Sequence, residues 1–190
     1  MQARAAAAAV YTRLGGTPYA RAAAQNTYDR VLNTKHAFLV VTAPGTGLAD
    51  GQIEGIYSYG PENANRSALT PFGNTVRQGA GTDTFEDDIA ALRSIENGSA
   101  GADISFSEIV GLSNEDAHFL FGVESDARPY NPVPASTPGS TNSNSEAFAR
   151  GRAGSAAAGT RFVPPSGIHP GAGQSDRVTC TGSRIRRESC

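Results

Sequence analysis

The run His36-Ala37-Phe38-Leu39-Val40-Val41-Thr42 decides how this chain folds. An unbroken apolar segment, rich in β-branched and aromatic residues and bounded by a polar residue at each end, reads as a strand in a central position. A Gly-rich loop carrying Pro44 follows over 43–51. Residues 52–59 then place Ile53, Ile56 and Tyr57 in a short β-favouring run, suited to an antiparallel partner, until Gly60-Pro61 stops it.

Outward from this pair the chain alternates helical and extended signals. Residues 2–10 are alanine-rich and favour helix by propensity. Gly15-Gly16 breaks that run, and Thr17-Pro18 supplies a cap and a first-turn proline for a helix over 19–32. Residues 63–81 are polar and read as irregular. Asp83 or Thr84 caps a helix to about Glu96, with Phe85, Ile89, Leu92 and Ile95 at helical spacing. Its acidic start, Glu86-Asp87-Asp88, suits the helix dipole. Residues 102–110 read as a strand. Ser113-Asn114-Glu115-Asp116 is a capping-box pattern opening a helix to about Val123. A loop over 125–140, rich in Pro, Ser and Thr at its end, leads into a last helix whose first turn holds Asn142-Ser143-Asn144-Ser145.

The expected fold class is therefore α+β, a small antiparallel sheet packed by helices. It divides into an N-terminal helical segment (1–35), a core (36–152) and an irregular Gly/Pro-rich tail (153–190). In the tail, Cys180 and Cys190 are ten residues apart and Gly182-Ser183 lets the chain turn between them. A disulfide there implies an oxidising compartment; the alternative is two reduced thiols.

Composition removes several function classes. Of 190 residues, 38% are hydrophobic, so the core is modest. The net charge is −2 and the one basic cluster, Arg184-Ile185-Arg186-Arg187, reads as a solvated tail, so no nucleic-acid partner is expected. No apolar run reaches the length of a membrane span. Met1 to Ala9 faintly imitates a signal peptide, but Arg13 and the weak hydrophobicity of alanine break the pattern and speak for a helix start. No phosphate-binding or dinucleotide fingerprint occurs, and no cofactor is implied. His36, His118 and His169 are too scattered for a metal constellation.

Two features combine into candidate chemistry. His36 opens the central strand, and imidazole exchanges protons near neutral pH. Ser143 and Ser145 stand at a helix start, where backbone N–H groups lack intrahelical partners and the dipole favours negative charge. His36 as base, Ser145 or Ser143 as nucleophile, and Asn142 or Asn144 beside the backbone amides as oxyanion donors would make a hydrolytic site. An orienting group for the imidazole is sought on the neighbouring strand, at Tyr57, Ser58 or Tyr59. The competing readings are an ordinary Ser/Asn helix cap and a strand-edge histidine bonded to backbone or water.

The strand His36-Ala37-Phe38-Leu39-Val40-Val41 and the helix start Asn144-Ser145-Glu146-Ala147-Phe148-Ala149 resemble the circularly permuted papain-like proteins, the NlpC-type peptidase and lecithin-retinol-acyltransferase group. In that group a histidine strand precedes the nucleophile helix. The resemblance spans about 36–175 and implies a papain-like fold, His36 as base and Ser145 at the nucleophile position, or Ser143 with a two-residue shift. The chain departs from the pattern in having no cysteine there, which leaves a serine variant or a protein that has lost catalysis. It also resembles bacterial domains at the ends of secreted or polymorphic-toxin proteins with an Asn-Ser-Asn-Ser element and a later turn such as Pro170-Gly171-Ala172-Gly173. Together these resemblances imply an exported bacterial hydrolase of amide or ester bonds, acting on peptide, peptidoglycan or lipid. The alternatives are a non-catalytic binding or structural module, or a toxin domain with an immunity or carrier protein.

Overall fold

The computed structural model describes residues 8–14, 35–43, 53–63, 73–96, 104–123, 128–131, 139–166, 169 and 171. The strands are β1 (Ala8–Leu14), β2 (Lys35–Thr42), β3 (Ile53–Pro61), β4 (Thr75–Gln78) and β5 (Ser105–Ile109). The helices are α1 (Asp83–Glu96), α2 (Asn114–Gly122) and α3 (Ser143–Ala157). The strands form one sheet in the order β4-β3-β2-β1-β5, each neighbouring pair antiparallel. The architecture is α+β.

β2 is central because it has something to bury on both faces. Ala37, Leu39 and Val41 join Tyr57, Tyr59, Leu120, Phe121 and Phe148 in the core beneath α2 and α3. Phe38 and Val40 point the other way, onto Leu92 of α1 with Ile53, Ile56, Ile95 and Ile104 around them. This alternation converts an unbroken apolar sequence into two half-cores. In β3 the register skips Glu54, since Val41 faces Gly55 while Thr42 faces Ile53. That one-residue bulge brings Ile53 to the same face as Ile56.

Local chemistry starts each helix. Thr82 O accepts the first helical bond of α1, from Glu86 N–H, so the cap falls one residue before Asp83. Ser113 caps α2, its hydroxyl accepting from Asp116 N–H at 3.1 Å. Asn142 caps α3 in a reciprocal box: its Oδ1 accepts from Ser145 N–H (2.9 Å), while Asn142 N–H donates to Ser145 Oγ (3.4 Å). Gly159, at φ 67°, ends α3 in the left-handed conformation that glycine adopts at low cost.

Three sequence expectations change, the first being that α3 runs to Ala157, five residues into the stretch read as an irregular tail from 153. Residues 8–10, read as helical, belong to strand β1, which pairs with β2 and β5 on its two sides. Strand pairing there outweighs the helix preference of alanine, which is at most about 0.7 kcal/mol per residue against other ordinary residues. Residues 75–78, inside a stretch read as irregular, form β4 on the free side of β3. The expected helix over 19–32 and the Cys180–Cys190 disulfide lie outside the described residues. None of the described helices is long and apolar enough to cross a membrane.

A buried ion pair ties the helices to the sheet. Arg150 and Glu146, 0% and 2% exposed, meet at 3.1 Å one turn apart on α3. Arg150 also donates to Leu120 O at 3.0 Å and lies 4.8 Å from the centroid of the Tyr59 ring. The Tyr59 hydroxyl in turn donates to Phe121 O. Removing one member of such a pair strands a charge in low dielectric. Arg150→Met should therefore lower unfolding free energy by about 3–5 kcal/mol in urea titration, and Glu146→Leu/Arg150→Met should recover most of it.

Burial pushes the Tyr59 phenol well above its ordinary 10.0, with Arg150 opposing the shift. The unfolded chain then releases the Tyr59 proton at lower pH than the folded one, so stability must fall as pH rises past about 10. Tyr59→Phe should show a shallower loss of melting temperature between neutral and strongly alkaline pH, from a lower starting point because the Phe121 bond is gone.

Candidate active site

The β2–β3 ladder stops at the pair Leu39–Tyr57. Beyond it β2 stays paired with β1 down to Lys35, and β3 pairs with β4 from Ser58 to Pro61. The first turn of α3 sits at this split. Asn144 Oδ1 accepts a 2.8 Å bond from Ala37 N–H, taking the place of a strand partner. The segment before the helix is held from the other side. Thr141 Oγ1 donates to Thr75 Oγ1 of β4 at 2.7 Å, and Thr141 forms a parallel bridge with Tyr130. A further bridge between Pro129 and Asn74 ties that short segment to the start of β4.

This clamping sets Ser143, the first residue of α3, against His36. The Ser143 hydroxyl lies 2.8 Å from His36 Nδ1, and the other ring nitrogen, Nε2, lies 3.1 Å from Asp88 Oδ2 on α1. Ser58 of β3 donates to the same Asp88 oxygen at 2.5 Å. An ionised carboxylate only accepts, so the neutral imidazole carries its proton on Nε2 and offers Nδ1 to the serine hydroxyl. The Phe38 ring stacks two residues along the same strand face, its centroid 6.3 Å from the imidazole at 18° between planes. His36 (1%), Ser143 (4%), Asp88 (0%) and Ser58 (0%) are all buried.

Of the residues marked in the sequence, the structure joins His36 and Ser143. Ser145 closes the capping box instead, its hydroxyl 3.2 Å from both Asn142 Oδ1 and Gly171 O. The side-chain oxygens of Asn142 and Asn144 serve the cap and the Ala37 amide. Tyr59 turns its hydroxyl to Phe121 O, and Tyr57 turns its own to His118 Nδ1 at 2.6 Å, so neither orients His36. His118 lies beside Glu54, 3.6 Å away, and His169 packs on Phe148 with ring centroids 4.9 Å apart.

The residue that sequence reasoning missed is Asp88. It passed as one of three acids suiting a helix start, yet it stands four residues from Thr84 and from Leu92, both buried. A carboxylate in phase with the inward stripe of an amphipathic helix is the signal that marks it. No family model, curated protein or solved structure matches the chain.

The Asn144 clasp can be measured. Asn144→Ala leaves the buried Ala37 N–H without its acceptor, a loss of about 1–3 kcal/mol. Urea titration should show it, and hydrogen exchange should quicken at Ala37 more than at Val40. Asn144→Asp, which keeps an acceptor, should protect the Ala37 amide better than alanine does.

Proposed function

We propose that the chain is a hydrolase of amide or ester bonds in which Ser143 is the nucleophile, His36 the general base and Asp88 the residue that orients the imidazole. The observation carrying this reading is the continuous chain from the Ser143 hydroxyl through both nitrogens of His36 to Asp88, at 2.8 and 3.1 Å. Nucleophile, base and orienting acid in hydrogen-bond sequence are what acyl transfer through a covalent intermediate requires. Nδ1 faces the serine here and Nε2 the acid, the reverse of the chymotrypsin arrangement, but each nitrogen does the same work.

In the acylation step Ser143 Oγ bonds to the carbonyl carbon as its proton passes to His36 Nδ1. The carbonyl oxygen becomes an oxyanion beside the Ser143 N–H, the first amide of a helix and one without an intrahelical acceptor. The bond to nitrogen or oxygen then breaks, and the imidazolium returns the proton to the leaving group. Water then gives a proton to the same Nδ1 as its oxygen bonds to the acyl carbon; the bond from that carbon to Ser143 Oγ breaks, and the imidazolium returns the proton to Oγ as the acid leaves. Asp88 keeps Nε2 protonated throughout and stabilises the positive ring.

The order of a histidine strand before a nucleophile helix, with α3 set at the split between β2 and β3, supports the permuted papain-like reading in a serine variant. With that resemblance goes an exported bacterial protein, acting on peptide, peptidoglycan or lipid, and a toxin role with an immunity protein. A second reading has its own support. Every member of the network is buried, as in a polar clasp of a non-catalytic binding or structural module.

A fluorophosphonate probe separates the two. Under the hydrolase reading it labels Ser143 of the folded protein, and peptide mass analysis finds the adduct there. Ser143→Ala and His36→Ala should abolish labelling while circular dichroism stays unchanged, and Ser145→Ala should keep it. Asp88→Asn should slow labelling by up to about 10⁴-fold, the loss seen when an orienting carboxylate becomes an amide. Folded protein that the probe never labels at Ser143 would leave the clasp reading standing.

A further inference from the structure

The geometry points to Ser58 as a positioning residue that shares the charge of Asp88 and so makes the His36 imidazole harder to protonate than it would be without the Ser58 hydroxyl. Its relevance to catalysis rests on the hydrolase reading, but its effect on the imidazole does not.

Ser58 is the first residue of β3 beyond the end of the β2–β3 ladder, and its side chain points toward α1. Phe38, Ile56 and Leu92 belong to the apolar cluster between the sheet and α1. The hydroxyl donates to Asp88 Oδ2 at 2.5 Å, and that oxygen also meets His36 Nε2 at 3.1 Å. Two donors thus converge on one carboxylate oxygen.

With the imidazole neutral, the Asp88–His36 pair carries one buried negative charge, and each donor to the carboxylate lowers its energy. Once the imidazole takes a proton, the pair is neutral overall and the Ser58 hydroxyl matters less. Ser58 therefore favours the state in which Nδ1 is empty and able to accept a proton. Removing the hydroxyl makes the pair take up its proton at higher pH, because the two groups titrate as a unit.

Other charged and titratable groups lie on the neighbouring elements. Glu146 of α3 is neutralised by Arg150 at 3.1 Å, and the buried phenol of Tyr59 stays protonated. On β1 the register partner of His36 is Arg13. On α1 the neighbour of Asp88 is Asp87, which is half-buried. Ser143, across from Nδ1, is not ionised.

The test is an NMR titration of the histidine ring nitrogens in the full chain, with His36 assigned by its loss in His36→Gln. The His36 midpoint in Ser58→Ala should lie about one pH unit above wild type, a tenfold change in the equilibrium between the two ring states. Ser58→Thr, which retains the hydroxyl, should fall at the wild-type midpoint. Ser58→Cys, close to serine in volume but a weak donor, should move in the same direction as alanine and remains informative if alanine does not fold. An unchanged or lower midpoint in Ser58→Ala or Ser58→Cys overturns the assignment, as does a threonine variant that titrates like alanine. The pH profile of fluorophosphonate labelling should shift with the NMR midpoint. A wild-type chain that titrates as expected but is never labelled would count against the hydrolase reading and leave the role of Ser58 intact.

Discussion

A single hydrogen bond, from Ala37 N–H to Asn144 Oδ1, joins the split in the sheet to the start of the last helix. Where β2 and β3 stop pairing, backbone groups of β2 need partners that no strand supplies. The first turn of α3 answers with a side-chain acceptor. The adjacent residue, Ser143, is thereby carried to within 2.8 Å of a histidine 107 residues earlier in the chain. Clamps on the approaching segment, Thr141 to Thr75 and Tyr130 to Thr141, leave the turn little freedom to lie elsewhere.

The same region concentrates polar side chains where the protein is least hydrated. Ser58, Asp88, His36, Ser143 and Asn144 are buried together, and Glu146 and Arg150 follow one and two turns along α3. A buried polar group without a partner costs about 1–3 kcal/mol, so such a cluster persists only when its members satisfy one another. Ser58, Asp88, His36 and Ser143 do so across four separate elements, β3, α1, β2 and α3. Each bond in the chain Ser58–Asp88–His36–Ser143 therefore also reports that two elements are correctly docked. Positioning and folding are one problem in this molecule.

Much of the framework was legible from local pattern. The run after His36 marked β2, the β-favouring run after the Gly-rich loop marked β3, and Ser113-x-x-Asp116 marked the start of α2. The turn Asn142 to Ser145 announced a helix start, and the pairing of a strand-opening histidine with that turn pointed to the right pair of elements. β1 and β4 were not legible. Ala8 and Ala9 carry no extended preference of their own and are strands because β2 and β5 flank them, while β4 is four residues long and pairs only along one edge. The roles within the serine pair were equally hidden. Ser143 and Ser145 are alike in composition and neighbourhood, and a helix turns about 200° between residues two apart, so the two hydroxyls point to different sides of α3.

What the sequence determined by itself is the α+β class, the central strand and the chemical types that stand at its opening and at the start of the last helix. Those follow from periodicity, capping and side-chain chemistry, which act over a few residues. Only the tertiary structure decided that Ser143 rather than Ser145 meets His36, that Asp88 from α1 holds the far side of the ring, and that Ser58 stands behind Asp88. Those are distances between elements 30 to 107 residues apart. They are set by where the β2–β3 ladder ends and by which helix turn fills the gap, and no local preference encodes either.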